Sequence, residues 1–413
     1  MEEKVTFDQL VHVGCGLDVH KDNIVATIRN SNQTYETREF GTFTSSLTEL
    51  RDWCHSQSVT HVAMESTGIY WKPVFNILEA DFEVILVNAR HVKNVPGHKT
   101  DKKDSRWLSK LLLAGLLKGS FIPERDIREL RDLVRYKRKV TNQAASEKNR
   151  IIKTLEDANI KLSSVLTNVD GVTGTKIIND LIAGVTDANA LLVHYHGKIK
   201  ASKEEFVKAL EGRVTSHHQF MLSIAQKSIR EKEALIDALD TQINEAVKAY
   251  EVEVDLLQTI PGVGRESAIG IISEVGVDME RFPNEKHISS WAGMSPGNNE
   301  SGGKKKAVKT VHGNQYLQQT VTESGWGATR TKGCYFNSKY HQLKSRRGTK
   351  KALVAIGHKI IVAAYFIIKN KEAYKEPVKR NEPMSKLRKA KSHLKKLREL
   401  GFELSGKHLV PVQ

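Results

Sequence analysis

Cysteine is scarce in this chain of 413 residues: Cys15, Cys54 and Cys334 are the full set. The odd count, the wide spacing and the lack of any CxxC pair exclude a disulfide framework and a cysteine zinc site, and they fit a reducing compartment. Long apolar runs are missing too. The most apolar stretch, Ala352–Ile368, is interrupted by His358 and Lys359. It is too short and too polar for a membrane span and reads as a buried helix. The opening residues, MEEKVTFDQL, have neither the basic start nor the apolar run of a signal peptide. No repeat of fixed period is visible. These absences predict a cytoplasmic protein with no membrane partner.

What the sequence has in excess is positive charge. Lys and Arg number 64 against 48 Asp and Glu, for a formal net charge of +16. Such a surplus predicts a polyanionic partner; a soluble protein that is merely basic is the alternative. With 39% hydrophobic and 27% charged residues, the chain can fill sizeable cores. At about 100–200 residues per domain, two or three domains are expected.

Hydrophobic periodicity divides the chain. Within residues 1–122, short apolar runs at Val11–Asp18, Asn23–Arg29, Tyr35–Phe43, His61–Glu65 and Glu83–Val87 read as strands, and Ser46–His55, Trp71–Ala80 and Lys102–Leu117 as helices. Three strands, then helix, strand, helix, strand and helix, is the order of an α/β ribonuclease H-like domain. Residues 123–250 carry two long amphipathic patterns, about 125–165 and 203–250, which predict a helical hairpin or coiled coil. Between them, Asn168–Gly197 reads as a small helical insert. Residues 251–370 are mainly helical, and 371–413 form a basic tail, a solvated helix or disordered arm. Twelve Lys or Arg lie from Lys369 to Arg398.

The chemistry lies in four acids. Asp18 ends the first strand in GLDVHKD and Glu65 ends the fourth in AMESTG, while Asp101 and Asp104 stand three apart at the start of the long helix. Three-residue spacing puts the last two on one helix face. With the first and fourth strands adjacent and the helix packed across them, all four would converge. Like charges that close are unfavourable unless a cation is shared. Carboxylates are hard ligands suited to Mg²⁺, and two such ions about 3.5–4 Å apart stabilise both oxygens of a phosphoryl transfer. An ordinary strand end, or a helix N-cap at Asp101 or Asp104, is the plain alternative. Asp22 lies near Asp18 but in the turn.

GLDVHKD, MESTGIYW and HKTDKKDSRWLSKLL, followed by LLQTIPGVGRESAIGIISEVG, RFPNEKHISSWAGMSPGNNESGGKKK and KKALVAIGHKIIVAAY, resemble the DEDD-type transposases of bacterial insertion sequences from about residue 11 to 370. The resemblance implies a RuvC-like (ribonuclease H-like) N-terminal domain, a coiled-coil linker and a C-terminal transposase domain. It implies that Asp18, Glu65, Asp101 and Asp104 are the Asp-Glu-Asp-Asp metal set. It further implies a serine nucleophile in the SGG element, which here is Ser301, and a noncoding guide RNA that pairs with DNA. A serine hydroxyl can attack a phosphodiester and hold the DNA end as an ester. Gly302 and Gly303 allow close backbone approach, and Lys304, Lys305 and Lys306 supply charge. Ser295 is the nearest rival serine.

Ile260–Gly264 (IPGVG) between two helical patterns looks like a helix-hairpin-helix turn, in which Gly262, Gly264 and the free N–H groups of the next helix bind backbone phosphate. A plain helix–helix turn is the alternative. Arg135 and Arg138, on the basic face of the 125–165 helix, are expected to contact nucleic acid. Adjacent His217 and His218 read as a surface pair. Trp71 and Trp107 read as core, as do Trp291 and Trp326 in preference to base stacking. The expected protein is thus a DNA recombinase that uses Mg²⁺ and Ser301 and acts as a homodimer or homotetramer. A junction nuclease using water, a non-catalytic nucleic-acid-binding protein and a phosphotransferase are the alternatives.

Overall fold

The structure, a computed structural model, describes residues 10–66, 68–88, 104–297, 300–301, 304–305, 310–377, 382–405 and 408–411, with backbone alone at 300–301, 304–305, 382–389, 405 and 409. The chain divides into two compact units, Met1–Pro123 and Glu124–Gln413. The first is mixed α/β and the second mostly helical.

In the first unit, β1 (Val13–Val19), β2 (Asn23–Asn30), β3 (Tyr35–Gly41), β4 (His61–Glu65) and β5 (Glu83–Val87) form one sheet in the order β3-β2-β1-β4-β5. β2 runs antiparallel to β1 and β3, whereas β4 and β5 run parallel to β1. Parallel neighbours need crossovers. Helix α1 (Thr44–Ser56) carries the chain from β3 across to β4, and α2 (Trp71–Leu78) from β4 to β5. Cys15, Leu17, Leu50, Trp53, Val62 and Met64 form the buried core on one face of the sheet, with Trp71 packed against it. Helix α3 (Asp104–Leu113) packs on β1 and β2, and its Leu108 and Leu111 are buried with Val87, beside a partly buried Trp107. All three cysteines are free and buried.

The second unit opens with α4 (Arg125–Asp157), a helix of 33 residues. At about 1.5 Å per residue it is roughly 50 Å long. A single helical turn (Leu162–Val165), α5 (Val172–Ile182), a 3₁₀ turn (Ala190–His194) and α6 (Lys203–Leu210) follow. They pack around Leu162, Ile177, Leu191, Phe206 and Leu210, which is the insert expected near 168–197. Helix α7 (Ser216–Val247) returns antiparallel along α4. Cross-pairs fix the register: Lys137 to Asp240 at 2.6 Å, Lys148 to Glu233 at 3.6 Å and His218 to Asp157 at 3.0 Å.

Two expectations need correction here. The helix anticipated over 203–250 is broken into α6 and α7. Arg213 N–H donates to the Ala158 carbonyl at 2.8 Å, and a side chain at Gly212 would lie 2.5 Å from that oxygen. His218 is buried and is no surface residue. Its Nδ1 accepts from Thr215 N–H at 3.1 Å to close the capping box of α7.

Helices α8 (Glu251–Gln258), α9 (Arg265–Val275) and α10 (Glu285–Trp291) come next, then the two-stranded hairpin β6 (Glu300–Ser301) and β7 (Lys304–Lys305). Helices α11 (Gln315–Ala328), α12 (Tyr335–Arg347) and α13 (Thr349–Asn370) follow. Helix α13 is long and apolar enough by composition to cross a membrane, and half of its most apolar window is buried inside the protein. Trp326 is 41% exposed, with Arg330 over its ring, so it does not join the core. The tail forms α14 (Glu382–Glu399) and a hairpin of β8 (Phe402–Ser405) with β9 (His408–Pro411).

Candidate active site

β1 and β4 pair in parallel with Gly16 opposite Ala63 and Leu17 opposite Met64. The next residues along are Asp18 and Glu65, so the two acids leave neighbouring strands about 4.8 Å apart at one level, on one face. Alternation sends Cys15, Leu17 and Val19 into the α1–α2 core and turns Gly14, Gly16 and Asp18 the other way. Helix α3 lies on that side. A Cβ at Gly16 would stand 2.3 Å from the Ser105 carbonyl and 2.5 Å from Ser109 N, so only glycine admits the helix this close. Two hydroxyl contacts fasten it to β2: Ser105 Oγ to Thr27 Oγ1 at 2.8 Å, and Arg29 Nε donating to Ser109 Oγ at 3.3 Å.

Asp104 is the first residue of α3. Burial pushes the Asp18 carboxyl above its ordinary range; His20, whose Nε2 lies 3.1 Å from Asp18 Oδ2, pulls it back, and the Asp104 carboxylate pushes it up again. The charge of Asp104 therefore reaches Asp18. Asp101 lies outside the described residues. Among the described residues, no group of three or more His, Cys, Asp or Glu is gathered tightly enough to hold a metal ion.

In the second unit Ser301 occupies the last backbone pair of a hairpin, opposite Lys304, with Glu300 opposite Lys305. Gly302, Gly303 and Lys306 lie outside the described residues. Nearer the foot, Pro296 bridges Thr310, Val311 N–H donates to the Ser295 carbonyl at 3.1 Å, and Asn314 N–H to Trp291 O at 3.0 Å. The foot is bolted to the helices. Asn314 Nδ2 donates to Glu274 Oε2 at 2.5 Å, and Glu274, with 3% of its side chain exposed, takes both guanidinium bonds of Arg135 at 2.8 Å. Arg131 adds a third cationic contact at 3.4 Å, and burial lowers its pKa to about 10. Sequence reasoning missed Glu274 and Asn314. The available signal was Arg131 and Arg135 one helical turn apart, needing a buried anion.

In that network Arg135 is held by Glu274, and it stacks over Tyr316 at 4.3 Å. Arg138 is likewise held, by both oxygens of Glu323 at 2.9 Å and by Thr320 Oγ1 at 3.2 Å. Both guanidinium groups are engaged by carboxylates within this unit. The IPGVG turn joins α8 to α9 with Gly262 at φ +87° and Val263 N–H bonded to Ile260 O at 3.0 Å. Gly262 faces inward: a Cβ there would lie 2.3 Å from Ala328 N and 2.4 Å from Ser324 O of α11. Gly264 caps α9 and borders open space.

The first unit thus has two acids at the ends of adjacent parallel strands, under a helix that begins with a third, and the second unit has a hairpin that carries Ser301. The three acids fall within residues 15–160, which match a family described as "Transposase". Residues 254–341, with the hairpin, match the family described as "Transposase IS116/IS110/IS902 family". The chain belongs to this IS110-type transposase family. Curated relatives agree. A Moraxella lacunata protein named "Pilin gene-inverting protein" is 21% identical over 375 residues, covering 87% of this chain and 96% of its own. Its Moraxella bovis namesake matches to the same extent. A Sinorhizobium fredii protein, y4qE, named as a candidate transposase, is 21% identical over 329 residues, 75% of this chain and 70% of its own.

Proposed function

We propose that this transposase breaks and rejoins DNA through a Ser301–DNA ester, with divalent metal, Mg²⁺ in particular, held by Asp18, Glu65, Asp104 and Asp101. The observation that carries the reading is the placement of Asp18 and Glu65 on neighbouring parallel strands with Asp104 near enough to raise the Asp18 carboxyl. The sheet order β3-β2-β1-β4-β5, with β2 alone reversed among the middle strands, supports a ribonuclease H-like assignment. These donors are hard oxygens, the chemistry that suits Mg²⁺. A bound cation would neutralise the mutual repulsion of the acids and the charge that builds on a phosphate under attack.

The Ser301 hydroxyl attacks phosphorus, an Oγ–P bond forms, the P–O bond to the deoxyribose breaks, and the freed sugar oxygen leaves as a hydroxyl. Reversal with a different DNA hydroxyl joins the new partner. Nothing is lost to water, so each broken end can be resealed without outside energy. A protein that inverts a gene needs that economy, because an inversion must reseal all its ends; the names of the Moraxella relatives favour it for this chain. The reading requires the carboxylate face and a Ser301 hairpin, from this copy or another, to meet on one scissile phosphate. A dimer or tetramer follows from the number of DNA ends. The +16 charge suits DNA together with a guide RNA, and Lys304, Lys305, Lys306 and the open N-terminus at Gly264 are the backbone-phosphate contacts.

The test is recombination of the element's own flanking DNA, with denaturing gels to trap protein–DNA adducts. The unaltered chain should yield an adduct. Ser301→Ala should yield none and recombine at least ~100-fold more slowly. Undiminished recombination by Ser301→Ala would point instead to a water nucleophile and a nuclease.

A further inference from the structure

A cleft of about 590 Å³ opens in the second unit between α10, the start of α12, α13 and the strap at 372–377. The serine–carboxylate chemistry makes no use of it. Its volume lies inside the ~300–1,000 Å³ common to small-ligand sites.

Its walls combine rings and ammonium groups with two carboxylates, Glu285 and Glu372, the second of which is paired with Lys375 at 2.6 Å. Tyr335, Tyr374 and Phe366 line it with rings, and Phe366 is 44% exposed. Lys286 and Lys359 line it with ammonium groups, and among the described residues neither has a carboxylate partner. Lys359 Nζ stands 5.5 Å from the centre of the Tyr335 ring. The walls are built in advance. Tyr374 stacks on Phe336 at 5.5 Å, its N–H donates to Thr259 Oγ1 at 2.8 Å, and Tyr335 N–H donates to Glu376 at 3.0 Å. Ser295 also lines the cleft, and its carbonyl ties the two sides of the Ser301 hairpin together.

Aromatic faces interleaved with ammonium groups that have no carboxylate partner among the described residues match an unpaired nucleic-acid strand, whose bases stack and whose phosphates pair. An apolar ligand would leave the lysines without purpose, and an acidic peptide would leave the rings without one. We propose that the cleft receives a base turned out of the DNA strand that Ser301 attacks. The base lies against Phe366 and Tyr335, and its flanking phosphates meet Lys286 and Lys359. Ser295 and Ser301 are at most roughly 20 Å apart along an extended strand, which limits the captured base to within a few nucleotides of the joined phosphate. Turning a base out is how proteins read one that stacking would hide. This inference rests on the serine reading above.

The experiment replaces bases one at a time by 2-aminopurine along both strands of the element's end and binds each DNA to full-length Ser301→Ala protein, so that no cleavage intervenes. A fluorescence change confined to one position near the joined phosphate is expected. Phe366→Ala should abolish it and weaken binding of that DNA roughly 5- to 100-fold. Phe366→Trp should preserve both, and Lys359→Ala should lower the salt slope of binding by about one unit. Circular dichroism checks that each variant folds. DNA bound with no position-specific change, or Phe366→Ala binding at full strength, overturns the cleft assignment and leaves Ser301 untouched. A response to the matching RNA strand in place of DNA overturns the choice of DNA. A retained signal with no covalent adduct from the unaltered chain removes the nucleophile and keeps the base site.

Discussion

Asp18 holds its proton to a higher pH in the folded chain than in the unfolded one, because burial and the Asp104 carboxylate outweigh His20. The native state therefore binds the extra proton, and stability falls as pH rises from the ordinary carboxylate range through the raised value. Divalent-metal affinity rises across the same window, since cation and proton compete for the oxygens. Asp18→Asn removes the charge and keeps the shape. It should raise the melting temperature of the metal-free protein at neutral pH by roughly 1–3 °C and lower recombination at least ~100-fold. Calorimetry beside a recombination assay checks both; a destabilised, active Asp18→Asn protein would contradict the site. At this same scale sequence reading was weakest. It showed Arg135, Arg138 and His218 as charge or polarity without partners. Their partners Glu274, Glu323 and Asp157 lie 139, 185 and 61 residues away in the chain.

At the scale of elements, the contact of α3 with β1 decides whether the carboxylates share a face. Gly16→Ala places a methyl carbon against the backbone of α3, which cannot rotate away as a side chain could. The helix must shift, carrying Asp104 with it. A loss of roughly 1–3 kcal/mol in stability is expected, with recombination falling much further than stability would explain. Urea titration and the recombination assay separate the two effects. Equal losses would mean that Asp104 is not part of the chemistry. Strands were legible in the sequence because a half-buried sheet writes its alternation directly. His61–Glu65 and Glu83–Val87 were found to the residue. The break at Gly212 was not legible, because the apolar spacing runs on through it and the cause is a carbonyl in another helix.

For the whole molecule, the charge of +16 predicts strongly salt-dependent DNA binding. Affinity should fall by about 10³–10⁵ between ~50 and ~200 mM salt if some 6–10 phosphates are neutralised. Arg135→Ala and Arg138→Ala should leave that slope alone and reduce stability, since their guanidinium groups are held by Glu274 and Glu323. Fluorescence anisotropy at several salt concentrations measures the slope. A change of about one unit in either variant would return that arginine to the DNA interface. Composition pointed to a polyanionic partner, and the motifs pointed to the acids and the serine proposed above. Neither could reveal the aromatic cleft, whose walls come from α10, α12, α13 and the strap beyond them.

The root of the Ser301 hairpin hangs, through Asn314 and Glu274, on Arg131 and Arg135 in the first half of α4. The far half of that helix is clasped by α7. A stiff beam thus has the mount of the proposed nucleophile near one end and an antiparallel partner along the rest. Because these bonds join the mount to the beam, the placement of the hairpin foot depends on whatever grips the helical pair.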